Sequence, residues 1–121
     1  MITEPELLKL LAEIESFRVE RTISVDKTDK FAQAICAFAN DMAGSGLPGY
    51  LLIGADDKTG TPSGLQVTDQ LLQNLASLAS NGNILPAPAL IAYRMKLSSG
   101  LGEIAVVEVQ PSTLPPVRYK G

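Results

Sequence analysis

The segment around which the chain is expected to fold is Gly49-Tyr50-Leu51-Leu52-Ile53-Gly54-Ala55-Asp56-Asp57. Its apolar run lies between glycines and shows no polar alternation, which is typical of a strand covered on both faces by helices. Gly54 allows the backbone to turn or another segment to approach closely. The pattern therefore predicts a buried central strand that delivers Asp56 and Asp57 to an exposed loop, where we expect function.

Periodic patterns on either side of this strand predict the other elements. Apolar residues at helical spacing predict three helices: one over about residues 4–14, a second after a cap at residue 26 with its end near residues 40–43, and a third over about residues 68–80. Apolar stretches of strand length predict further strands over residues 17–23, 89–97 and 103–109. The predicted fold is therefore α/β (α+β), a single domain with a mixed central sheet of about four to six strands and about three helices.

Two of these elements carry more detailed expectations. In the second helix, Asp26 is predicted to cap the first turn, Met42 to continue the apolar face and Gly44 to stop the helix. In the first strand, alternation predicts an outward face with Arg18, Glu20 and Thr22.

The residue counts exclude whole classes of chemistry. The chain of 121 residues has no histidine and one cysteine. It therefore cannot build a Ser-His-Asp or Cys-His nucleophile or a Cys/His zinc cluster from its own residues. Cys36 lies among apolar residues of a predicted helix, and we expect it to pack in the core.

Charge and hydropathy bear on location and partners. The N-terminus shows no signal peptide and no stretch has the roughly 20 apolar residues of a membrane helix, which predicts a cytoplasmic protein without membrane contact. The net charge of −3 does not favour a strong phosphate binder. Cations nevertheless occur as three close pairs, which form one patch if the fold joins them and otherwise remain scattered solvated charges: Arg18 with Arg21, Arg94 with Lys96, and Arg118 with Lys120.

The glycines of residues 44–49 formally match GxGxxG, the dinucleotide-binding fingerprint. That fingerprint requires a strand before the glycines and a helix after them. Here a predicted helix precedes and a predicted strand follows, so the segment is interpreted as a connection. A Walker-type sequence is absent, and ATP binding is not expected.

Several short segments, taken in order, resemble the Schlafen-type AlbA-like domains, formerly labelled divergent AAA domains, of bacterial transcriptional regulators and Schlafen proteins. The landmarks lie at residues 15–20, 37–40, 49–64, 84–86 and 106–116. The resemblance implies an α/β fold and a nucleic-acid-related role. It also implies further domains after this one, so residues 1–121 are expected to be the N-terminal part of a longer protein.

In some Schlafen proteins two glutamates five residues apart and a downstream aspartate form a metal-dependent RNA-cleaving centre. By position the resemblance assigns Glu15, Glu20 and Asp57 to these roles, with Asp56 as the adjacent candidate. Such carboxylates would hold Mg²⁺ or Mn²⁺. The chain departs from the family pattern in having Arg21-Thr22 after the second glutamate, and a longer loop over residues 40–49.

The function predicted from these observations is that of a nucleic-acid-binding domain in a transcriptional regulator, with DNA or RNA as its partner. The residues expected to contact phosphates are Arg18, Arg21, Arg94, Lys96, Arg118 and Lys120. The alternative is a metal-dependent endoribonuclease that uses Glu15, Glu20 and Asp57. A second alternative is a non-catalytic interaction module that forms a homodimer.

Overall fold

The computed structural model describes residues 1–13 and 18–120. In these ranges the helices are α1 (Glu4–Ala12), α2 (Thr28–Asn40) and α3 (Asp69–Ser77). The strands are β1 (Val19–Thr22), β2 (Gly49–Ile53), β3 (Ile84–Leu85), β4 (Leu90–Lys96), β5 (Glu103–Val109) and β6 (Arg118–Tyr119).

The main sheet has four strands in the order β1-β2-β5-β4. β1 runs parallel to β2, while β2 pairs antiparallel with β5 and β5 with β4. A separate two-stranded sheet joins β3 to β6. The predicted fold class, a single small α/β domain with a mixed sheet, is confirmed.

Helices cover both faces of the sheet. On one face, called the α1 face, Leu7 and Leu10 pack in one cluster with Leu52. On the other, called the α2 face, residues of α2 and α3 such as Ile35 pack with Leu51. Every residue of β2 is buried, which confirms the prediction of a central strand and explains why its sequence does not alternate.

Helix α1 begins as its sequence predicts. The Thr3 hydroxyl accepts a hydrogen bond from the Glu6 amide and the Glu6 carboxylate accepts one from the Thr3 amide, which completes a capping box, and Pro5 lies in the first turn. Glu13 is the C-cap, with extended backbone. The predicted end at residue 14 lies outside the described residues.

Helix α2 ends at Asn40, within the predicted range of 40–43, but the residues predicted to cap and stop it were wrong. Its N-cap is Lys27, and Asp26 provides a backbone carbonyl to the Thr28 amide rather than a side-chain cap. The helix stops at Asp41, which adopts a left-handed conformation with φ of 44°, before Gly44 is reached. Because the helix has already ended, Met42 no longer follows its apolar face and is 92% exposed.

The outward face predicted for β1 was also wrong. Thr22 is buried, whereas Ile23, just beyond the strand, is 59% exposed. Glu20 and Arg18 are half-buried rather than exposed. β1 is an edge strand, yet both of its faces are covered, so simple alternation does not describe it.

The remaining elements mostly follow the sequence. The predicted third helix starts at the capping residue Thr68, and the two strands of the hairpin appear within a residue or two of their predicted ends. Cys36 is buried as expected, and burial raises the pKa of its thiol. The short strands β3 and β6 were not predicted.

The side chain of Asn40 holds the C-terminal segment through two hydrogen bonds to the main chain of Val117. Its Nδ2 donates to the Val117 carbonyl at 3.0 Å and its Oδ1 accepts from the Val117 amide at 2.7 Å. Since each bond contributes about 1 kcal/mol, Asn40→Ala is expected to lower the free energy of unfolding by about 2 kcal/mol in urea titration. Asn74→Ala, at an exposed position of α3, is the matched control. Equal losses in the two variants would contradict the role of Asn40.

Candidate nucleic-acid interface

Arg21 lies in the interior, and its guanidinium joins three segments of the chain. The side chain is 1% exposed. Nη1 donates to the carbonyl oxygen of Leu10 at 3.2 Å and to that of Glu13, both at the end of α1. Nη2 donates to the carbonyl oxygen of Asp57, in the loop after β2, at 3.3 Å. The guanidinium thus binds main-chain acceptors in the interior and does not face the solvent, where a phosphate would bind.

The side chain of Glu20 and the main chain of Asp57 lie on different sides of β1. Glu20 pairs with Leu51 in the β1–β2 register, which places it on the α2 face, whereas Arg21 pairs with Leu52 on the α1 face. The Asp57 main chain, bound to Arg21, therefore lies on the α1 side of β1. Its side chain is in the exposed loop.

Asp56 has a structural role in that loop. Its Oδ1 accepts hydrogen bonds from the amides of Lys58 and Thr59, each at 2.8 Å. These bonds, first that of Thr59, lower the pKa of the Asp56 carboxyl. The carboxylate thereby closes the turn that follows β2.

The acidic centre implied by the resemblance requires several potential metal ligands to lie close together. Within residues 1–13 and 18–120, no three Asp, Glu, Cys or His side chains come together. Glu15 lies outside the described residues. The set of Glu15, Glu20 and Asp57, with Mg²⁺ or Mn²⁺ as its cofactor, stays a prediction.

Arg94 and Lys96 lie on the edge strand β4. Arg94 donates from Nε and Nη2 to the Val67 carbonyl at 3.0 and 2.6 Å. Its Nη2 also lies 3.1 Å from Asp69 Oδ1 and its Nε 3.8 Å from Glu103 Oε1. The two carboxylates offset the charge of Arg94, while Lys96 is exposed at the end of the strand.

Arg18 immediately precedes β1 and lies beside the glycine-rich connection. Its Nε donates to the Pro48 carbonyl at 3.1 Å. Because β1 and β2 are parallel, Arg18 and Asp57 lie beyond opposite ends of this strand pair. Arg18 therefore does not lie beside the acidic pair of the loop after β2.

The glycine-rich segment connects α2 to β2, as predicted. The Asp41 carboxylate accepts hydrogen bonds from the amides of Ser45 at 3.0 Å and Gly46 at 2.7 Å. These contacts, first that of Gly46, lower the pKa of Asp41. A carboxylate of the chain itself thus occupies amides that a phosphate would need, in agreement with the interpretation of residues 44–49 as a connection.

Arg118 and Lys120 belong to a strand that contacts the first turn of α2, where two lysines occur that the sequence did not single out. Both are exposed and flank Tyr119, whose hydroxyl donates to Asp29 Oδ1 in the first turn of α2. That turn carries Lys27 and Lys30. We call the set of Lys27, Lys30, Arg118 and Lys120 the β6 basic surface.

These features define a small α/β domain with helices on both faces of a mixed sheet and a cationic surface at its C-terminal strand. The Schlafen AlbA_2 family model matches residues 15–121, and the chain therefore belongs to this family. The resemblance found in the sequence is confirmed. Membership is consistent with a nucleic-acid-related function.

A search of curated proteins found no match to the chain. Within the described residues, no helix has the length and apolar character needed to cross a membrane.

Proposed function

We propose that the chain binds DNA or RNA through the β6 basic surface and acts as a nucleic-acid-binding domain of a cytoplasmic transcriptional regulator. One observation carries this proposal: the hydrogen bond from Tyr119 to Asp29 brings β6 to the first turn of α2. The bond brings the strand that carries Arg118 and Lys120 to the helix turn that carries Lys27 and Lys30, about ninety positions earlier in the sequence. Lysine and arginine side chains arranged in this way suit phosphate groups, which position a nucleic acid without reading its sequence.

The local electrostatics favour an anion at this place. The N-terminus of α2 contributes a partial positive charge, and no side chain caps it among the residues described. Asp29 is engaged by Tyr119, and Asp26 lies nearby in the same segment. Because these two carboxylates and the net charge of −3 oppose binding, we expect weak affinity, and because the attraction is electrostatic we expect that affinity to depend strongly on salt.

Tyr119 adds an apolar element to the surface. Tyr119 is half-buried, and its two neighbours in the sequence, Arg118 and Lys120, are exposed cations. Aromatic rings beside cations stack with unpaired bases and do so with little sequence preference. The surface is therefore expected to accept single strands at least as well as duplexes.

The proposal is tested by removing the two charges of β6. Arg118→Gln/Lys120→Gln is expected to weaken binding to short single- and double-stranded DNA and RNA about tenfold at low salt, measured by fluorescence anisotropy. It should also reduce the slope of log affinity against log salt by about 0.7–0.9 for each phosphate group that the variant no longer binds.

The matched control removes the same charge elsewhere. Lys9→Gln/Lys58→Gln neutralises two exposed lysines on α1 and on the loop after β2. Its affinity should stay close to that of the wild type. An equal loss in both double variants, or no binding by the wild-type chain at low salt, would overturn the proposal.

A further inference from the structure

The outer edge of β4 is a strand edge that the fold leaves open. β4 is the last strand of the main sheet, and within the described residues no strand pairs with its outer side. It is seven residues long and contains neither proline nor glycine. An edge of this length offers a row of main-chain donors and acceptors to another strand.

The pairing with β5 determines which main-chain groups face outward. The Gln110 amide donates to the Ala89 carbonyl at 2.9 Å, and the Leu97 amide donates to the Gly102 carbonyl at 3.0 Å. In an antiparallel ladder such residues alternate with residues whose groups point away from the partner. The outward-facing residues of β4 are therefore the even-numbered ones: Leu90, Ala92, Arg94 and Lys96.

We propose that this edge binds a second copy of the same chain, with two β4 strands antiparallel about a two-fold axis at Tyr93. In this register Leu90 lies opposite Lys96 of the partner subunit, and Ala92 lies opposite Arg94 of the partner subunit. All outward-facing amides and carbonyls of both strands are then paired. The two main sheets become one continuous sheet.

Charge and proline select this register over its neighbours. A shift of two residues in one direction places Arg94 directly opposite Arg94 of the partner subunit, which is unfavourable for like charges. The opposite shift places Lys96 against Pro88, which has no amide hydrogen to donate. In the proposed register the arginines are only diagonal neighbours, and each has its own carboxylates in Asp69 and Glu103.

The side chains on the α1 face also fit a second copy. Ile91 is 47% exposed and would lie opposite Met95 of the partner subunit. Beside it is a concavity of about 220 Å³ whose lining is mostly apolar and includes Leu90, Ile91 and Glu108. Antiparallel pairing brings Met95 of the partner subunit to this apolar concavity, while the cations Arg94 and Lys96 lie on the opposite, α2 face with Leu90 and Ala92.

The first test measures association of the whole chain in the absence of nucleic acid. Sedimentation velocity is expected to show a concentration-dependent dimer, and Ile91→Lys is expected to weaken it at least tenfold because a charge replaces an apolar contact. Leu114→Lys, at a 71% exposed position outside β4, is the control and should dimerise as the wild type does. A wild-type monomer at every concentration, or equal effects of the two variants, would overturn the proposal.

The second test fixes the register by a disulfide. Positions 91 and 95 would form a directly opposed, non-hydrogen-bonded pair across the axis, with Cα atoms about 4.5 Å apart, which suits a disulfide. Within one chain the same positions are about 13 Å apart along the strand and cannot be joined. Ile91→Cys/Met95→Cys is therefore expected to give a cross-linked dimer on non-reducing electrophoresis, while each single variant gives much less. A dimer in solution that the double variant does not cross-link would overturn this arrangement.

Discussion

Replacing Arg21 with methionine is expected to lower the free energy of unfolding by about 3–5 kcal/mol, because each buried carbonyl that it leaves unsatisfied costs about 1–3 kcal/mol. The guanidinium is 1% exposed and donates to the carbonyls of Leu10, Glu13 and Asp57. Methionine fills much of the volume but donates no hydrogen bond, so these acceptors lose their buried partner. Urea denaturation followed by circular dichroism measures the loss. Since the free energy of unfolding of a small domain is about 5–15 kcal/mol in total, this loss would remove a large part of the stability.

A charged group inside a protein is not always stabilising, and the kind of acceptor decides the result here. A buried ion pair can be replaced by apolar residues without loss when both partners are removed together. The acceptors of Arg21 among the described residues are main-chain carbonyls, which no side-chain substitution removes. Arg118→Met, at an exposed arginine, is the control and should change stability by no more than about 0.5 kcal/mol. Similar losses in both variants would contradict a structural role for Arg21.

The sequence already contained a signal for the position of Arg21. Alternation along β1 places Arg21 on the same side as the buried Val19, not with Arg18 and Glu20. A charged residue on the apolar side of a strand needs internal partners, and α1 and the loop after β2 supply them. The partners could not be predicted, because main-chain carbonyls leave no trace in residue type.

An element could be predicted where its own residues carry a clear pattern, and it was missed where they do not. The central strand β2 was predicted because burial of both faces leaves a continuous apolar run. The strands β3 and β6 have two residues each, too few for any periodicity to appear. The end of α2 was predicted within a few residues, but its capping residue Asp41 was missed, since a left-handed aspartate carries a weaker signal than a glycine.

The β6 basic surface shows the same limit for function. Arg118 and Lys120 were recognised as a basic pair, but Lys27 and Lys30 were not connected with them. Their proximity depends on the packing of β6 along α2, through Asn40 and Tyr119. A charge pattern in sequence therefore indicated half of this surface, and tertiary contacts indicated the rest.

Replacing Gly60 with alanine is expected to cost about 3 kcal/mol or more, because two unfavourable terms add. Gly60 has a φ of +73°, which costs an L-residue about 1–2 kcal/mol. A Cβ at this position would also lie 1.8 Å from the Leu11 carbonyl oxygen, so the loop after β2 and the end of α1 would have to move apart. Such overpacking typically costs a further 1–3 kcal/mol, as an order of magnitude.

Gly64 separates the two terms, since it shares the backbone conformation without the crowding. Its φ is +82° and no atom lies within 4 Å of the position of a Cβ. Gly64→Ala is therefore expected to cost only about 1–2 kcal/mol in the same urea titration, and equal losses would show that the contact with Leu11 is not tight. Gly60 and Arg21 both hold the end of α1 against this loop. Because Gly60→Ala already opens that contact, Gly60→Ala/Arg21→Met should lose less than the sum of the single losses.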